Sequence, residues 1–86
     1  MNMEDQGKSI FEFGIQPLDS IMEKMELRNT DLVRASEENI TNKMVKKARS
    51  GRRLTPKVKQ KIINAVNIFR EKRDLTELSP KKLFNY

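Results

Sequence analysis

The chain contains neither cysteine nor histidine. Without cysteine there is no disulfide scaffold, no thiolate zinc site and no thiol nucleophile. Without histidine, the commonest metal ligand and the commonest general base are both missing. Catalysis would fall to carboxylates, lysines, hydroxyls and Tyr86, yet the acidic residues are scattered over polar positions and form no paired-carboxylate constellation. No catalytic residue, metal, cofactor or small-molecule substrate is therefore expected. Long apolar runs are lacking too, which excludes a membrane span. Met1 to Phe13 is acidic and polar, without the basic-then-apolar pattern of a secretory signal, so a reducing cytoplasm is the expected compartment. Aromatic residues are few, four Phe and one Tyr, and lie mostly near the ends. They offer little of the stacking surface on which RNA recognition depends.

What the chain does have is charge, unevenly spread. Its net charge is +6 over 86 residues, a length that suits one domain with one modest core. Residues 1–40 carry four basic side chains against nine acidic ones, whereas residues 41–86 carry fourteen basic against three acidic. From Thr41 to Lys61 there are nine basic residues and no acid. Such asymmetry points to a polyanion partner for the second half, the plain alternative being lysines and arginines that solvate helix faces.

The apolar pattern predicts an all-α protein, a compact bundle of four to five short helices. Residues 1–14 read as a flexible arm in which Ile10, Phe11 and Phe13 are able to dock. Residues 15–73 form the domain proper. A first helix runs from Pro17, suited to the first helical position, to Leu27, with Leu18, Ile21, Met22 and Met25 in one stripe. Asn29 or Thr30 caps a short second helix ending near Ala35, and Ser36 to Asn39 form the turn. Thr41 caps a third helix that stops at Gly51, the usual left-handed terminator. Its inward face holds Val45 and Ala48, with Thr41 beside them and Met44 at the edge. Thr55 and Pro56 open a fourth helix with the strongest stripe, Val58, Ile62, Ala65, Val66 and Phe69, flanked by Ile63 and Ile68. Residues 74–86 read as an extension with a short helix from Pro80. Its Leu75, Leu78, Leu83, Phe84 and Tyr86 are placed to cover the flanks of the fourth helix. Ser79-Pro80-Lys81-Lys82 combines this cap with a single copy of a short basic element found in minor-groove-binding tails.

A helix fits the B-DNA major groove, and its first turns present side chains to base edges while neighbouring helix ends and basic loops hold phosphates. Asn29-Thr30-Asp31-Leu32-Val33, Ile40-Thr41, the Val45/Ala48 pair, Gly51-Arg52-Arg53 and the run Val58, Ile62, Ala65, Val66 occur in a telling order. In this order, residues 17–69 resemble the Cro and lambda-repressor-type (XRE-like) helix-turn-helix domain. The turn between Val33 and Ile40 is slightly longer than the family's and lacks glycine, and the loop after Gly51 is slightly longer too. The resemblance implies a lambda-repressor-like fold and a DNA-binding transcriptional regulator, cytoplasmic and nucleoid-associated, with double-stranded DNA as partner. It sets the third helix, about 41–50, in the major groove and the loop 51–53 on the backbone.

The resemblance places Thr41, Asn42, Lys43, Met44 and Lys47 at bases or nearby phosphates. It also places Asn29, Arg52 and Arg53 at the backbone, and side-chain chemistry adds Lys46 and Arg49 to the phosphate set. Asn42 suits adenine and Lys43 or Lys47 suits guanine. Met44 suits either a thymine methyl or the core. Lys57, Lys59 and Lys61 supply long-range attraction. A single helix reads few base pairs, so a homodimer is a natural partner state, with Ile63, Ile68, Phe69 and the Leu75–Tyr86 tail as its candidate surface, the alternative being that these residues only close the monomer core. The alternative is a helical protein–protein interaction module, or an antitoxin-like protein that binds a protein partner.

Overall fold

The structure is a computed structural model that describes residues 13–86. These residues form five helices and no strand: α1 (Pro17–Lys24), α2 (Asn29–Ala35), α3 (Asn42–Ser50), α4 (Pro56–Lys72) and α5 (Pro80–Leu83). The all-α expectation holds. None of the described helices is long and apolar enough to cross a membrane.

Local chemistry accounts for most helix ends. Pro17, Pro56 and Pro80 each occupy the start of a helix, where a missing N–H costs nothing. The Thr41 hydroxyl accepts from Met44 N–H at 3.1 Å, and the Thr55 hydroxyl accepts from Val58 N–H at 3.2 Å. Gly51 closes α3 with φ 92°. One cap differs from expectation. Arg28, not Asn29 or Thr30, is the flanking residue of α2. Its backbone N–H is held by the Asp31 carboxylate at 2.8 Å, which carries the helix start one residue back. Helix α1 also ends before Leu27, because Glu26 turns left-handed with φ 58° and Leu27 N–H closes onto Met22 C=O at 2.9 Å.

The core joins all five helices. Leu18 and Met22 from α1, Leu32 from α2, Val45 and Ala48 from α3, Ile62, Ala65 and Val66 from α4 and Leu83 from α5 are all fully buried. Helix α4 packs against α2, α3 and α5, so its buried surface is wider than one stripe. Ile63 is only 3% exposed as a result. The expected dimer role of Ile63 is therefore corrected, since a side chain enclosed by its own chain has no surface to offer. Ile68 and Phe69 stay half-buried. The tail packs on the bundle as its apolar residues suggested, with Leu75 alone of the five left exposed. Leu83 and Phe84 are core residues, and α5 packs on α1 and α4, so 74–86 completes the domain instead of extending it. The Asn67 amide fastens the approach to α5, donating to Leu78 C=O at 3.1 Å and accepting from Leu78 N–H at 2.9 Å.

The other boundary moves too. The expected arm 1–14 lies largely outside the described residues, Ile10 and Phe11 included, but Phe13 and Gly14 belong to the fold. They begin a strap, Phe13 to Gln16, laid across the end of α3. Phe13 N–H donates to Gly51 C=O and Gln16 N–H to Arg49 C=O, both at 3.0 Å, which satisfies carbonyls that a helix end leaves without partners. Gln16 is 1% exposed. Its Nε2 donates to Phe13 and Gly14 carbonyls at 3.2 and 2.9 Å, and its Oε1 accepts from Asn85 N–H at 2.7 Å. One buried amide, fully satisfied, thus ties the strap to the end of the chain.

Candidate nucleic-acid interface

Helix α3 buries a narrow face. Val45 and Ala48 are enclosed, and Met44 is partly buried against the core, so packing claims much of the Met44 side chain. At about 100° per residue, Asn42, Lys43, Lys46, Lys47 and Ser50 share the opposite arc. Asn42, Lys43 and Lys46 are exposed, while Lys47 and Ser50 are half-buried. The helix has no acid along its length. Thr41 is exposed and its oxygen serves as the cap, so any contact it makes is shared with that duty.

The basic loop after α3 has a fixed backbone. Tyr86 Oη donates to Arg52 C=O and accepts from Leu54 N–H, each at 3.1 Å. Phe13 stacks on Tyr86 with ring centroids 4.0 Å apart and planes 4° from parallel, and the Arg53 guanidinium lies 5.2 Å from the Phe13 centroid. Arg52 is half-buried and Arg53 exposed. Lys59, expected to act only at long range, lies 4.0 Å from the Tyr86 ring centre and donates to Tyr86 C=O. It stabilises the anchor of this loop through a cation–π contact well inside the usual range of about 6 Å.

Arg49 is placed differently from Lys43, Lys46 and Lys47. Its Nε donates to Asp19 at 2.7 Å, its Nη1 to Asn29 Oδ1 at 2.9 Å and its Nη2 to Glu23 at 3.2 Å. The side chain is 18% exposed. Two carboxylates neutralise it, so the expected direct phosphate contact through Arg49 does not fit this arrangement. Asn29 is brought to the same place. It lies between two shallow grooves, one reaching Asn42, Glu23, Glu26 and Arg28, the other Lys46, Ser50, Asp19 and Ile15. Apart from Thr41, which serves as the α3 cap, and Met44, which packs against the core, the residues expected at the interface fall into three sets: the α3 arc, the 52–53 loop, and Asn29 with Arg49.

Sequence reasoning missed Asp19 and Glu23. They sit four residues apart on one face of α1, and such a pair calls for a cationic partner; the signal was present, but its partner lies 30 residues away from Asp19. Tyr86 and Gln16 had no local signal. The described residues hold no group of His, Cys, Asp and Glu fit to bind a metal ion. In comparisons with known proteins the chain matches no family model, and no curated protein or solved structure matches it.

Proposed function

We propose that this chain is a duplex-DNA-binding domain acting as a transcriptional regulator, with α3 laid in the major groove and Arg52 and Arg53 on the sugar-phosphate backbone. The observation that carries this reading is the α3 surface. The helix buries only Val45 and Ala48 fully and turns an acid-free arc of amide, hydroxyl and three lysines outward. A groove-reading helix needs a core-facing edge narrow enough to leave most of its circumference for the duplex. Support also comes from the backbone anchoring of the 52–53 loop, since contacts to phosphates set register only if their own frame is fixed. Binding, not catalysis, is the proposed activity.

The roles of helix and loop separate under substitution. Lys47→Ala is expected to change base preference, whereas Arg53→Ala is expected to weaken all sequences about equally. Affinities for a panel of related duplexes measure both. Identical profiles for the two variants would remove base reading from α3 and leave only backbone attraction.

A further inference from the structure

We propose that Arg49 is a positioning residue: it holds the Asn29 amide so that Nδ2 is presented outward as a fixed donor to a duplex phosphate oxygen. This rests on the DNA-binding reading and adds to it how one contact is oriented.

The argument starts from donor and acceptor chemistry. A guanidinium has only N–H donors, and a side-chain amide has one donor end and one acceptor end. Arg49 Nη1 meets Asn29 at 2.9 Å, so the carbonyl end must face it; the opposite orientation sets donor against donor. Nδ2 then points away from Arg49, and it has no hydrogen-bond partner among the described residues. Arg49 itself cannot rotate freely, because Asp19 and Glu23 hold two further nitrogens at 2.7 and 3.2 Å. The amide is therefore oriented before any ligand arrives, which lowers the ordering cost of binding. The cluster also explains two acids beside a basic surface. Asp19 and Glu23 oppose a polyanion by charge alone, yet here they hold the group that orients the donor. Asn29 borders the grooves that contain Asn42 and Lys46, so a backbone passing α3 comes within reach of it.

A double-mutant cycle on the full chain, read as affinity for a mixed-sequence duplex over a salt series, tests this. Asn29→Ala is expected to weaken binding about ten-fold, the scale of one hydrogen bond to a charged group. The slope of log affinity against log salt should not change, because a neutral amide releases no counterion. Arg49→Lys keeps the charge but not the three-way geometry, and should weaken binding similarly. In the Asn29→Ala background, Arg49→Lys should add less than about a two-fold loss, as expected when one residue acts only through another. Asn29→Asp keeps an oxygen towards Arg49 while removing the donor. It should weaken binding at least as much as Asn29→Ala without lowering the melting temperature. Additive losses, or a shallower salt slope on replacing Arg49 by an uncharged residue, would make Arg49 a direct phosphate ligand and overturn the proposal. So would full affinity in Asn29→Ala when Lys47→Ala is impaired. If the unsubstituted chain binds no duplex, the parent reading fails and this one falls with it.

Discussion

Gly51→Ala is expected to destabilise the domain by about 2 to 5 kcal/mol, through left-handed strain of about 1–2 kcal/mol and overpacking of about 1–3 kcal/mol. Gly51 has φ +92°, and a Cβ built there stands 1.7 Å from Gly14 O and 2.5 Å from Gly14 C. The obstacle is backbone, so no rotamer change relieves it. The strap must lift from the end of α3, which breaks the Phe13–Gly51 bond and pulls on Gln16. For a domain of this size the melting temperature should fall by roughly 10–40 °C, the free-energy loss being a large part of a typical total stability. Gly14→Ala is the control. It shares a positive φ, +75°, but its Cβ meets nothing within 4 Å, so only strain of about 1–2 kcal/mol applies. Equal losses in the two variants, measured by chemical denaturation, would mean that the strap does not press on Gly51.

Replacing Lys43, Lys46 and Lys47 together by alanine should nearly abolish duplex binding while leaving the fold intact. All three lie on the outward arc of α3, and alanine is the better helix former, so the melting temperature should move by no more than a few degrees. Each phosphate neutralised contributes about eight-fold to affinity at 0.1 M salt, from a counterion slope near 0.9. Three lost contacts multiply to a few hundred-fold, and the salt slope should become shallower by about 2 to 3. A variant that melts like the parent and binds duplex within three-fold of it would move the interface off α3.

Much of this fold is legible in local sequence. Thr41, Thr55 and Gly51 act within one helical turn of themselves, and the α4 stripe repeats often enough to declare itself. What is not legible depends on distance along the chain. Asn85 N–H reaches Gln16 across 69 positions, so nothing near Gln16 marks it as buried. Leu83 and Phe84 are legible as cover for the fourth helix, but their helix also packs on α1, more than 50 positions away, and nothing local marks that contact. Ile63 sits on the flank of its stripe and is buried because neighbours press α4 from several sides. At the site, the lysine arc follows from helical periodicity alone. Arg49 looks equivalent to those lysines in sequence, and only the fold brings Asp19, Glu23 and Asn29 around it.

The most direct test of the central claim is the affinity of the unsubstituted chain for duplex DNA over a series of salt concentrations. Lys43, Lys46, Lys47, Arg52 and Arg53 as the contacting cations predict a slope of log affinity against log salt of about −3 to −5 per bound chain. A slope near zero, or no binding at low salt, would contradict duplex recognition and favour the helical protein-interaction alternative.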